Sequence, residues 1–211
     1  YNDGTATIEN QSAMQRNIVS GSGGGLYNTA DSNLTLNSSD LSNNEALDGA
    51  GIFNEGSLQV TNINLGSDNV ATQSGGGLYN SGTATLTNST VVQNEAETGA
   101  GIYNENTLTA NNSTLSRNTG PNNQYNANGP GLYNQSGTAV LNNVTIHLTN
   151  GPSIFANGGT VEVGNTIISS ASEPACGGGG AFTSNGYNLA NDQSCTFLTT
   201  AGDLQDLDPQ L

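Results

Sequence analysis

The 211-residue chain has no lysine and no tryptophan. Arg16 and Arg117 are its only basic residues, set against 17 Asp and Glu, so the net charge is −15. Polyanions are held by Lys and Arg that displace counterions, so a nucleic-acid partner is excluded; so is a P-loop, which needs its lysine. Attraction to an anionic bilayer fails for the same reason. No apolar run approaches the roughly 18 residues that cross a membrane, and direct membrane insertion is not expected. No secretion signal opens the chain, and residue 1 falls inside a repeat unit. A longer parent protein, with signals and anchors elsewhere, is therefore the expectation. One histidine and two cysteines make no zinc site.

Hydrophobic residues are also scarce at 33%, and charged ones at 9%, a mixture that would leave an ordinary globule without a core. What the chain has instead is periodicity. Gly23-Gly24-Gly25-Leu26-Tyr27-Asn28 returns as Gly49-Ala50-Gly51-Ile52-Phe53-Asn54 and as Gly75-Gly76-Gly77-Leu78-Tyr79-Asn80. It recurs as Gly99-Ala100-Gly101-Ile102-Tyr103-Asn104 and Gly129-Pro130-Gly131-Leu132-Tyr133-Asn134, then fades at Ile154-Phe155-Ala156. The aromatics at 1, 27, 53, 79, 103, 133 and 155 stand 26, 26, 26, 24, 30 and 22 residues apart. Such a period marks a solenoid, in which each unit buries its apolar face only against its neighbours. Tyr27, Phe53, Tyr79, Tyr103 and Tyr133, with Asn28, Asn54, Asn80, Asn104 and Asn134, are its structural repeat residues.

A second apolar beat follows each aromatic, at Leu34/Leu36, Leu58/Val60, Ala84/Leu86, Leu108/Ala110, Ala139/Leu141 and Val161/Val163. Strict alternation with polar residues is the period of a half-buried strand. Asn10, Ser38, Asn62, Asn88, Asn112, Asn143 and Asn165 then mark a turn suited to left-handed or side-chain-bonded residues, whose stacked carboxamides could bond as a ladder. A third beat, apolar-x-x-Asn, joins Met14 to Asn17, Leu41 to Asn44, Val91 to Asn94 and Leu115 to Asn118, with longer forms at Leu65 to Asn69 and Ile146 to Asn150. Three short strands per unit and no helical period predict an all-β, single parallel β-helix of about seven rungs. Right-handedness is expected from the general bias of parallel crossovers. The repeats should occupy residues 1–170, and 171–211 a C-terminal cap pinned by a Cys176–Cys195 disulfide, which implies an oxidising compartment; two unpaired thiols are the bland alternative.

The segments Leu41-Ser42-Asn43-Asn44-Glu45-Ala46-Leu47-Asp48-Gly49-Ala50-Gly51-Ile52-Phe53 and Val91 through Tyr103 resemble the polymorphic outer-membrane protein repeats of bacterial surface proteins, whose paired motifs are Phe-x-x-Asn and Gly-Gly-Ala-Ile. The stretch from Gly186-Tyr187-Asn188-Leu189 through Cys195 to Asp208-Pro209 is similar to the closing segment of secreted β-helix proteins. The resemblance covers nearly the whole chain, although Leu, Val or Met stands where the family prefers Phe. It implies export and a surface role and transfers no catalytic residue.

Catalytic constellations are weak. Glu45 and Glu95 should lie in register two rungs apart, as should Glu55 and Glu105. That is about 9–10 Å, the upper edge for an inverting glycosidase, but Val70 and Ser81 fall between them. Arg16 and Arg117 read as solvated, and His147 has no Ser or Cys context for a triad. No cofactor is expected. Calcium around Glu45/Asp48 or Asp203/Asp206/Asp208 is the minor alternative, without the Gly-Gly-x-Gly-x-Asp nonapeptide of calcium-binding β-rolls. The long unit carries a loop with Asn122, Asn123 and Tyr125 that suits binding, or plain tolerance of an insertion. A threonine-rich face, Thr5/Thr7, Thr83/Thr85 and Thr107/Thr109, resembles the ice-binding surface of some β-helical proteins. The expectation is therefore a non-enzymatic extracellular structural or adhesive element of a surface, stalk or filament, which self-associates end to end or meets matrix components. Glycan binding or carbohydrate chemistry is the alternative, and ice binding a lesser one.

Overall fold

A computed structural model describes residues 1–121, 128–171 and 174–211, the side chain of Leu148 aside. The described residues form strands and turns without an α-helix, wound as a parallel β-solenoid of about seven turns. Each coil visits three faces in order. The first, or aromatic, face carries three-residue strands such as Leu26–Asn28, Ile52–Asn54, Leu78–Asn80, Ile102–Asn104 and Leu132–Asn134. The second, or threonine, face carries Thr5–Ile8 and longer strands such as Asn33–Asn37, Ser57–Thr61, Thr83–Thr87 and Thr107–Asn111. The third face carries Ala13–Gln15, Asp40–Ser42, Asn64–Gly66, Thr90–Val92 and Thr114–Ser116. The three long sheets hold seven, eight and eight strands, and a two-stranded sheet joins Glu45–Asp48 to Val70–Ser74; all pairing is parallel, so residues one repeat apart sit above one another.

Alternation decides which side chains enter the core. In Ser57–Thr61, Leu58 and Val60 are fully buried while Gln59 points out. The next two coils swap sizes, Ala84 with Leu86 and then Leu108 with Ala110. Each thus supplies one large and one small side chain, which keeps the lumen filled at constant volume. Leu41, Leu65, Val91, Leu115, Ile146 and Ile168 form the third column of the same core.

Three corners demand left-handed backbone; before the aromatic face Gly23, Gly49, Gly75, Gly99 and Gly129 supply it, with φ of 54–76°. Before the third face, Asn10, Ser38, Asn62, Asn88, Asn112, Asn143 and Asn165 adopt φ of 50–63°, as their repetition predicts. The expected ladder does not extend along this exposed column; only Asn112 and Asn143 join there, at 3.1 Å. The long ladders run inside the coil. After the third face, Arg16, Asn43, Gln93 and Arg117 also take positive φ, as do Ser67 and Asp68 in the coil that is one residue longer. The motif read as Ile146 to Asn150 departs from its siblings. Pairing shifts between Ile146 and Thr149, so buried Thr149, sharing a hydrogen bond with Ser153 at 2.7 Å, occupies the inward place and Asn150 does not.

The segment from 171 begins with one more coil. Cys176–Gly178, Ala181–Ser184 and Leu189–Ala190 pair with the three faces in turn. The chain after 190 then folds over this last coil. Phe197 stacks on Phe182 at 4.6 Å, Leu198 is buried, and Leu204 bridges to Leu189. The Cys176–Cys195 disulfide fastens the segment to the coil (Cα–Cα 5.1 Å).

Candidate functional site

The repeat residues build two kinds of column. Outside the aromatic face, Tyr1, Tyr27, Phe53, Tyr79, Tyr103, Tyr133 and Phe155 form one stack, with centroids 4.6–5.5 Å apart and planes within 25°. Each contact of this kind contributes about 0.5–1.5 kcal/mol beyond burial. Because ring faces meet ring faces, the interior rings offer no platform for a sugar. Glu55 accepts the Tyr27 hydroxyl at 2.9 Å and Glu105 that of Tyr103 at 3.5 Å. Burial first, then the Glu55 hydrogen bond and charge, push Tyr27 up to about 12. Tyr103 also rises to about 12, through burial and the Glu105 charge. Tyr79 moves up by burial and Glu105, and Tyr133 by burial alone.

Inside the same strands, Asn2, Asn28, Asn54, Asn80, Asn104 and Asn134 bond Nδ2 to Oδ1 at 2.7–2.8 Å. A second ladder runs through Asn17, Asn44, Asn69, Asn94 and Asn118 at 2.8–3.1 Å. Each inner amide joins three coils. Asn69, for example, accepts from Asn44 and donates both to Asn94 and back to the Leu41 carbonyl at 2.9 Å. Buried carboxamides must be satisfied, and these are.

The candidate carboxylate pairs do not meet. Glu45 pairs with Val70 and Val70 with Glu95, so an aliphatic side chain separates the two carboxylates. Ser81 takes the matching place between Glu55 and Glu105, as its N–H donation to Asn54 shows. Asp48 is half-buried and shifted upward by that burial, against the lowering effect of the Ser74 N–H at 3.1 Å. His147 is lowered by burial and by Arg117. Arg16 and Arg117 are exposed. Asn122, Asn123 and Tyr125 lie outside the described residues.

For calcium, no group of three or more His, Cys, Asp or Glu is placed to hold a metal among the described residues. Asp203 is instead a joint of the cap. It accepts from the Ser184 hydroxyl at 2.6 Å, the Asn188 backbone and amide at 3.0 Å, and the Thr200 N–H at 2.8 Å. These hydrogen bonds outweigh burial and hold its carboxyl below the usual range. Asp192 does similar work beside the disulfide, accepting from the Ala175 N–H and from Ser194. Neither aspartate belongs to a repeat, so periodicity gives no signal for it.

On the threonine face, outward columns run Thr5, Asn33, Ser57, Thr83, Thr107, Thr138, Thr160 and Thr7, Thr35, Gln59, Thr85, Thr109, Val140, Glu162 in strict register. No protein-family model, curated protein or solved structure matches the chain.

Proposed function

We propose that the chain is a non-enzymatic, extracellular structural or adhesive rod of a cell surface. The observation that carries this reading is the continuity of its columns. Three backbone ladders, two amide ladders and one aromatic stack run through successive coils. A solenoid built from such nearest-neighbour contacts is stiff. Eight strands at about 4.8 Å spacing give a rod roughly 34 Å long. With two basic residues and no lysine it also offers few tryptic sites. The disulfide suits an oxidising exterior, and the resemblance to polymorphic outer-membrane protein repeats points the same way. The residues after 190 cover the last coil and so oppose end-to-end stacking there.

Negative-stain electron microscopy over a concentration series, combined with reducing-end assays on a polysaccharide panel, tests this reading. Short rods, single or joined end to end, without sugar release are expected. Release of reducing ends would sink it. A second reading, ice binding, is favoured by the in-register threonine columns. It requires thermal hysteresis that Thr85→Tyr abolishes.

A further inference from the structure

The two left-handed corners that flank the third face are filled differently. At the corner before the third face the chain places asparagine in six of eight positions, with Ser38 and Tyr187 the exceptions. Asparagine is among the side chains that best tolerate this backbone. At the corner after it, Asp68, Gln93 and Arg117 adopt the same conformation with φ of 67°, 55° and 54°. The turn needs only a residue that tolerates positive φ, and Asn43 serves in the same column. Long side chains are tolerated at this corner, as Arg16 shows, and at Gln93 and Arg117 they are presented to the side of the rod.

These three side chains converge. With Val70, Glu95 and Thr119 they line an open trough of about 450 Å³ on the side of the rod. Its floor is a column in register, Val70 beside Glu95 and Glu95 beside Thr119, so the floor residues succeed one another at about 4.8 Å. At Val70 the trough meets a second hollow of about 230 Å³, where Glu45, Leu47 and Ile18 are found. Glu45 pairs with Val70 and Ile18 with Glu45, which extends the floor to five coils, about 20 Å.

We infer that this trough binds a neutral, linear glycan, held by Asp68, Gln93, Glu95 and Arg117 through its hydroxyls and by Val70 and Leu47 through its C–H faces. Carboxylate, carboxamide and guanidinium groups side by side offer both acceptors and donors to sugar hydroxyls. Along its length the trough carries three carboxylates, Glu45, Asp68 and Glu95, with the Arg117 guanidinium among them, so an anionic ligand is disfavoured. A polyanion is repelled by the net charge of −15, and a polycation meets Arg117 on the wall. Length and openness suit a chain that lies along the rod, and polar groups that fix orientation beside aliphatic ones are the usual make-up of a ligand cleft. The inference does not rest on the mechanical role proposed above.

The test is titration calorimetry of the whole chain with neutral gluco-, xylo- and manno-oligosaccharides, comparing wild type with the double variant Gln93→Asn/Arg117→Asn. Wild type is expected to bind at least one of these sugars, and the variant to lose tenfold or more in affinity. The variant restores the residue type the backbone prefers, so its Tm should hold or rise by about 2–4 °C. Opposite movements of affinity and Tm separate ligand contacts from structural ones. Wild type that binds none of the sugars, a variant that binds as well as wild type, retention of a cationic peptide probe alone, or affinity and Tm falling together would each overturn the inference.

Discussion

Replacing Asn80 by alanine removes one link from the middle of the inner amide ladder. Its Nδ2 donates to Asn104 Oδ1 at 2.8 Å, to the Thr107 carbonyl at 3.0 Å and to the Gly82 carbonyl at 3.2 Å, while its Oδ1 accepts from Asn54 at 2.8 Å. Asn80 is fully buried, so water does not reach the groups left behind. Asn54 keeps its bonds to the Gly56 and Thr83 carbonyls, and Asn104 still donates to Asn134. The main loss is the unmet acceptor on Asn104 and the weakened carbonyls of Thr107 and Gly82. At about 1–3 kcal/mol for each unsatisfied buried group, a total near 3–5 kcal/mol follows. For a chain of this size that corresponds to a Tm lower by roughly 10 °C. Thermal unfolding followed by far-ultraviolet circular dichroism measures it. Asn80→Asp sharpens the test, because its carboxylate would face the Asn104 oxygen and the Thr107 carbonyl. Its folded pKa must therefore be raised, so the folded state binds more protons than the unfolded one. The variant should gain stability as pH falls and lose it as pH rises through the carboxylate range. A cost below about 1 kcal/mol for the alanine variant, or no pH dependence in the aspartate one, would falsify the idea that the ladder is dry and shared between coils.

Reduction of Cys176–Cys195, whose partners are 19 residues apart, should cost about 3 kcal/mol on the loop-entropy estimate; limited proteolysis should then cut after residue 190 while the inner coils stay intact. Gly77→Ala would put a Cβ 2.6 Å from the Gly101 carbonyl oxygen and 3.0 Å from Val91 Cγ1. The coil spacing cannot yield locally, so a loss of at least about 1–3 kcal/mol in chemical denaturation is expected. Folded Tyr27, Tyr79, Tyr103 and Tyr133 hold their protons above the usual phenol range. The folded chain therefore retains protons that the unfolded chain releases, and stability should decline as pH rises past about 10. Phenolate absorbance should show these groups titrating later than in the unfolded chain, and Glu55→Gln should bring Tyr27 only partly back, since burial is the larger cause.

What could be read in the sequence was whatever repeats. The strand alternation of Leu58 and Val60, the left-handed turns at Asn62 and Asn88, and the stacking of Tyr27 on Phe53 follow from spacing alone, because parallel register converts a period into a column. Which asparagines bond to each other was not legible. Asn62 and Asn28 recur with similar regularity, but one side chain points to solvent and the other into the coil. The last coil was hidden because Gly177 stands in register with Phe155 and so breaks the aromatic beat. Asp192 and Asp203 act once each, in a segment whose geometry no repeat announces. Asp68, Gln93 and Arg117 each stand just before the asparagine of the third beat, so their column follows from the repeat, but the trough they line with Val70, Glu95 and Thr119 is visible only in three dimensions.

Both amide ladders also point one way. From Asn2 to Asn134 and from Asn17 to Asn118, each side-chain N–H reaches toward the oxygen of the following coil. Side-chain dipoles therefore add along the axis, and the rod has a sense, as an arrow has. A coil laid down from the N-terminal side leaves a donor waiting for the next asparagine, so each finished turn is the mould for its successor. Two rods brought together by their N-terminal coils would set oxygen against oxygen. Direction, once written in the first turn, is copied with every turn added.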